Sequence, residues 1–374
     1  MPTRHLASLL CLALLLSCGK REAPVEPSAG VSEESAGPPW RPGYVRPGVV
    51  DIHGHVPPSG LHRLPRVMED NGVAWMVNLS GGVLGRGAEA IGAVQRAHPR
   101  LLHFLNIDWR RRGLEGFGEL MAESLEIAVK RFGFRGLKVS KALGLYLDDV
   151  HGQRIPVDWP ELAPLWDKAG ELGVPVAIHT GDPKAFWLPV TPANERYAEL
   201  SLHPTWSYAD PSFPSREQLL AERDRLLARH PKTTFICVHF GNNPEDIDYV
   251  DGLLNRFPNA VVDVAARLGE IGRHPPDKVR EVFIRHKTRI LFGTDLGLTQ
   301  DTIMLGSVGE EDPTEDDVKP FYDAHWRFFE GRERGIPHPT PIQGAWTIDA
   351  IDLPDDVLDH LYYKNAARLL KLEP

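Results

Sequence analysis

Basic charge, cysteine and long apolar runs are all scarce in this 374-residue sequence. Lys and Arg number 42 against 51 Asp and Glu, a net charge of −9. That balance gives no basic stripe for nucleic acid, which is excluded as a partner. Cysteine occurs only at positions 11, 18 and 237, too few for a disulfide framework. The apolar run Leu6 to Leu16 is about half the ~20 residues that a membrane helix needs. The sequence as a whole, 42% hydrophobic and 25% charged, is of ordinary globular composition. It excludes a mostly disordered chain and leaves room for one large α/β domain or two smaller ones. Gly (34) and Pro (33) are plentiful and predict many loops.

The short apolar run, preceded by Arg4 and His5, has the build of a signal-peptide core. It ends in Leu15-Leu16-Ser17-Cys18-Gly19, which resembles the lipobox of bacterial lipoproteins. The resemblance implies a signal peptide over 1–17 and lipidation of Cys18; an ordinary signal peptide cut nearby is the alternative. Cys237 would then stand alone, with no intrachain disulfide available. Gly19 resembles the residue that sorts lipoproteins to the outer membrane. An exported lipoprotein facing the periplasm is therefore expected, touching the membrane through its lipid anchor only. Residues 18–46, rich in Pro, Ser, Gly and Glu, read as a flexible tether to a catalytic domain over 47–374.

From Val49 onward, eight short apolar runs alternate with polar or helical stretches. They are 49–53, 73–79, 101–107, 136–140, 175–179, 233–239, 260–264 and 289–294. Between the fifth and sixth, Ser215-Arg216-Glu217-Gln218 has capping-box form, and Leu219, Leu220, Leu226 and Leu227 share a helical face. Strands alternating with helices predict parallel βαβ units. Eight units in about 250 residues predict a (β/α)8 TIM barrel. No G-x-G-x-x-G follows the first run to support an open doubly wound sheet.

Polar residues stand where these runs end: His53 and His55, His179, His239 and Asp295. Strand parity places Lys138 with Gly136, His179 with Ala177, His239 with Cys237, and Asp295 with Gly293 and Leu291, all predicted to point inward. Any one histidine is more simply a hydrogen-bonded core residue. Together they predict a metal site at the C-terminal mouth, with a divalent cation such as Zn2+ and a small-molecule substrate.

Asp51-Ile52-His53-Gly54-His55, the single His179 and His239, and Phe292-Gly293-Thr294-Asp295 resemble the amidohydrolase superfamily. The likeness is to its amidohydrolase-related branch, which also holds aminocarboxymuconate-semialdehyde-decarboxylase-like enzymes. Tyr362 to Leu370, with Asn365-Ala366 at its centre, resembles that branch's closing helix. The resemblance implies that His53, His55, His179 and Asp295 ligate the metal. Asp295 would also take a proton from a metal-bound water, and His239 would either bind a second ion or act on substrate and water. A carboxylated Lys138 would bridge two ions; a lysine paired with an internal carboxylate is the alternative, and one ion is favoured. Arg267 is read as a grip for a substrate carboxylate or as an ion-pair partner of Glu270. Trp187 is read as a pocket wall or as rim packing. Phe321 to Phe329 form a lid or a subunit contact, and a homo-oligomer stays open. The expected activity is hydrolysis of an amide, ester or lactone. Metal-dependent decarboxylation is the alternative, with Arg267 as its discriminating feature, and a non-catalytic binding lipoprotein is the third reading.

Overall fold

The computed structural model describes residues 40–372. The expected signal peptide, Cys18 and the tether as far as residue 39 lie outside the described residues. The apolar runs form eight parallel strands: β1 (Val49–His55), β2 (Val73–Asn78), β3 (Leu101–Asn106), β4 (Gly136–Val139), β5 (Val176–Ile178), β6 (Phe235–Cys237), β7 (Ala260–Asp263) and β8 (Ile290–Leu291). Each pairs in parallel with the next. The last returns to the first: Ile52 N donates to Phe292 O (3.0 Å) and Asp295 N to His53 O (2.8 Å). Two short strands continue beyond β8. β9 (Leu296–Leu298) lies parallel to β1, and β10 (Ile303–Leu305) lies antiparallel to β9. The fold is thus a TIM-like barrel.

Alternation along the strands divides the core. Val50, Ile52, Val77, Leu102, Phe104, Ala177, Ile236, Val261 and Leu291 pack together inside the barrel, with Ala366 and Leu370 of the helix Asn365–Leu370 against them. The opposite faces, such as Val176, Ile178, Phe235, Cys237, Ile290 and Phe292, pack in the helix layer. The helix Arg216–Arg229 begins as its capping sequence predicts, with Ser215 Oγ accepting from Gln218 N at 3.1 Å. Parity holds for Lys138, His179 and Gly293 but is corrected at the sixth run. Ile236 faces the interior and Cys237 the helices, the reverse of the expectation. The strand ends at Cys237, so alternation has no hold on His239.

The tether boundary is also corrected. Trp40 to Arg46 lie against the barrel because a buried carboxylate draws them there. Glu330, fully buried, accepts from Arg46 Nε (2.7 Å) and Nη2 (3.2 Å), from Trp40 Nε1 (3.3 Å) and from Tyr362 OH (3.0 Å). The Arg46 guanidinium also sits 4.3 Å from the centre of the Trp326 ring. The aromatics expected as a lid or subunit contact, including Phe321, Tyr322, Trp326, Phe328 and Phe329, are buried in the helix Glu315–Glu330. Among the described residues, no helix is long and apolar enough to cross a membrane.

Candidate functional site

β1 brings two histidines to the end of the barrel through an irregularity. Its register with β2 shifts between Asp51 and Gly54. In a regular strand Asp51 and His53 would share a face. Here Asp51 turns to the helix layer, accepting from Thr294 Oγ1 (2.6 Å) and Tyr322 OH (2.8 Å), while His53 turns inward. A bulge re-aims side chains in this way. Asp51 also pins it, accepting from His53 N at 3.1 Å and from Thr294 N at 3.2 Å. Burial pushes the Asp51 carboxyl up to about 6 against these hydrogen bonds. Gly293 leaves space behind His53: a Cβ there would lie 3.0 Å from His53 Cβ.

His239 and Asp295 arrive by turns. Both hold left-handed backbone, φ 55° and φ 64°. For residues with a Cβ such backbone costs about 1–2 kcal/mol each and persists where surrounding contacts enforce it. Asp263 at the end of β7 supplies such contacts. It accepts from His239 N (2.8 Å) and Ala265 N (3.2 Å) on Oδ1, and from His53 Nδ1 (2.9 Å) on Oδ2. His239 Nδ1 donates to Ala265 O at 2.9 Å. With both Nδ1 atoms committed as donors, the Nε2 lone pairs of His53 and His239 are left free.

One ligand atom from each of His53, His239 and Asp295 falls within 4.8 Å of the others. Asp295 Oδ1 is 3.4 Å from His53 Nε2 and 3.3 Å from His55 Nε2. His55, about a third exposed, is steadied by Ser80 Oγ at 2.8 Å from Nδ1. His179 joins through His239, their ring centres 4.4 Å apart, and its Nε2 is 3.4 Å from Asp182 Oδ1. The tight group therefore contains His239, with His55 and His179 at its edges. The Nε2 atoms of His53 and His179 and the Lys138 amine are buried without hydrogen-bond partners. Among the described residues no carboxylate comes within ion-pair distance of Lys138, although Asp295 and Asp263 are near enough to oppose its desolvation. Burial lowers the amine to about 8.

The electrostatics favour a deprotonated site. Burial pushes Asp295 up, but the imidazoles of His53, His55 and His239 outweigh it and hold the carboxyl well below its ordinary range. Burial lowers His179 to about 4 and, with His179, Arg267 and His53 adding repulsion, takes His239 well below its usual value. Imidazoles that burial lowers at His55, His179 and His239, an ionised carboxylate at Asp295 and orphaned ring nitrogens are the donor set and the deficit that a divalent cation would satisfy.

A cavity of about 130 Å3 opens onto His179, His239 and Asp295 and is walled by Phe186, Trp206 and Arg267. Trp187 is not among its lining residues; its indole donates to Pro214 O (2.9 Å) and packs on Tyr208. The tryptophan that faces the cavity is Trp206. Arg267 is buried and does face the cavity. Its expected rival partner, Glu270, is paired with Arg196 instead. Sequence reasoning passed over Asp263, whose signal was a lone acid inside Val261-Val262-Asp263-Val264. Asp182 was also missed. Its Oδ2 accepts from Lys141 (2.5 Å) and Tyr208 OH (2.7 Å), partners from separate loops that no sequence spacing reveals.

The sequence matches the amidohydrolase family over residues 50–372. No curated protein matches it. Among solved structures it is similar to 2,6-dihydroxybenzoate decarboxylase from Rhizobium: 17% identity, TM-score 0.50, covering 87% of this chain and 99% of that one. It is also similar to a dihydroxybenzoic acid decarboxylase from Polaromonas sp. JS666 with bound manganese and the inhibitor 2-nitroresorcinol: 15% identity, TM-score 0.53, covering 87% and 97%. The expectation of amide, ester or lactone hydrolysis is corrected by these matches, which are decarboxylases.

Proposed function

Because the chain belongs to the amidohydrolase family, we propose that it is a metal-dependent, non-oxidative decarboxylase of a small, single-ring carboxylic acid. The observation that carries this reading is Arg267. Its guanidinium is buried, lines the cavity beside His179, His239 and Asp295, and has no carboxylate within ion-pair distance among the described residues. A buried cation without an anion is costly, and a substrate carboxylate in two-point contact would relieve it. Cavity size supports a single ring: a ~150 Å3 apolar cavity engineered into another protein takes up benzene. Phe186 and Trp206 offer the aromatic walls.

His53, His239 and Asp295, with His55 and His179 beside them, would hold the cation. Imidazole and carboxylate suit zinc and manganese alike. When bound, the cation supplies Lewis acidity that draws electron density from substrate oxygens. The chain's own residues do the rest. Arg267 orients the carboxylate, and the aromatic walls keep water from the ring. As carbon dioxide leaves, the bond pair stays on the ring carbon and is quenched by a proton. Asp295, ionised at rest, takes that proton from the bound acid or from water and delivers it from the carboxylate. Neutral His239, its Nδ1 held by Ala265 O, offers Nε2 as a second station.

The test is carbon dioxide release by the metal-loaded chain from a panel of hydroxybenzoates beginning with 2,6-dihydroxybenzoate. One carbon dioxide per decarboxylated ring is expected. Arg267→Gln is expected to lower kcat/KM by roughly 100-fold, as for loss of a buried charge partner. A metal-replete protein that releases none from any member refutes the reading.

A further inference from the structure

Loops following three different strands meet in one buried cluster around a guanidinium. Arg196, in the segment after β5, is 1% exposed. Its Nη1 donates to Glu199 Oε2 at 2.8 Å and its Nη2 to Glu270 Oε1. Glu199 also accepts from Ser307 Oγ, beyond β8. Glu270, after β7, is fully buried, and its second oxygen, Oε2, has no partner. Arg267 lies on the same short segment as Glu270, yet the two make no ion-pair contact; Arg267 Nη1 donates to Ala266 O at 2.6 Å. The pair still sense each other. Burial pushes Glu270 up, and Arg196 first, then Arg267, more than offset it.

This is an unusual division of charge. A buried carboxylate with an idle oxygen is the natural two-point partner for a neighbouring guanidinium. Here one of its oxygens is held by an arginine from another loop, and the nearby arginine is left facing the cavity. We propose that Arg196 is a positioning residue: by engaging Glu270 and Glu199 it keeps Glu270 from capturing Arg267, and so leaves the Arg267 guanidinium open to a substrate carboxylate. The proposal rests on the decarboxylase reading above and adds to it the device that makes the carboxylate site available. Without Arg196, Glu270 would be a buried anion lacking its main counter-ion, and the remaining cation near it is Arg267.

The experiment is calorimetric binding to the full metal-loaded chain of 2,6-dihydroxybenzoate and of resorcinol, the same ring without the carboxylate. Arg196→Gln is expected to weaken 2,6-dihydroxybenzoate roughly tenfold or more and to leave resorcinol within about twofold, because only the charged contact is diverted. Adding Glu270→Gln is expected to restore the carboxylate ligand to within about threefold of wild type, the signature of coupled rather than additive effects. Equal weakening of both ligands, or no recovery in the double variant, overturns the proposal. Should Arg196→Gln fail to fold, Glu270→Gln alone decides. Affinity for 2,6-dihydroxybenzoate equal to or above wild type is expected, and a fall overturns the proposal. Arg267→Gln separates the two layers of argument. If it weakens the carboxylate ligand while Arg196→Gln does not, only the positioning role falls. If it leaves that ligand unaffected, the carboxylate site and the positioning role fall together.

Discussion

Asp295 and Glu330 are both enclosed by this fold and are treated in opposite ways. Each Glu330 oxygen is engaged, one by Arg46 Nε and Tyr362 OH, the other by Arg46 Nη2 and Trp40 Nε1. Asp295 accepts no side-chain hydrogen bond among the described residues; two imidazole nitrogens stand 3.3 and 3.4 Å from its Oδ1, and buried Nε2 atoms nearby lack partners. Buried polar groups are normally satisfied, so a saturated cluster is read as structure and an unsaturated one as a place kept for something else. The first cluster ties the chain before β1 to the last helices. The second leaves bonding capacity unspent.

The contrast can be broken at either end. The largest effect is expected at the unsaturated cluster: His53→Ala should abolish metal uptake and carbon dioxide release together while circular dichroism stays native. Elemental analysis showing full metal in that variant would refute His53 as a ligand. Next comes the saturated cluster. Glu330→Gln breaks a buried ion pair and should cost about 3 kcal/mol in denaturant unfolding, with metal content and turnover per folded molecule unchanged. Altered metal content there would blur the division.

The smallest effect is a pH dependence shared by both regions. His179, in the cluster, and His325, in the aromatic layer, are each lowered by burial from 6.5 to about 4. Between those values these two residues bind more protons in the unfolded chain than in the folded one, so their contribution to stability rises with pH over that window and is constant above it, while Asp51, raised by burial to about 6, works against them below 6. Metal-stripped protein should lose stability as pH falls from 6.5 to 4, and His325→Phe should lessen the slope. A slope unchanged by that substitution would remove His325 from the account.

The barrel was legible because parallel strands enclosed on both faces read as short, continuous apolar runs, and all eight runs contain a strand. The histidines and Asp295 were legible as polar residues ending such runs. Their aim was less so. The inward direction of His239 was inferred from Cys237, which faces the helices; the imidazole turns inward through left-handed backbone that no alternation rule foresees. The β1 bulge, the orienting carboxylate of Asp263 and the exchange of Trp187 for Trp206 at the cavity depend on contacts between distant loops. The chemistry was hardest to read, since one ligand set serves hydrolysis and decarboxylation alike. Arg267 was the single side chain that could lean one way, and only the pairing of Glu270 with Arg196 leaves it uncommitted.

Gly293 touches none of the proposed chemistry, yet it sets where His53 can stand. One added methyl group would press on His53 Cβ from 3.0 Å and on Ile52 Cγ2 from 3.2 Å, and the neighbours would have to give by a few tenths of an ångström. The barrel can therefore be detuned from behind, by a graded nudge to an imidazole whose identity, tautomer and partners all stay the same.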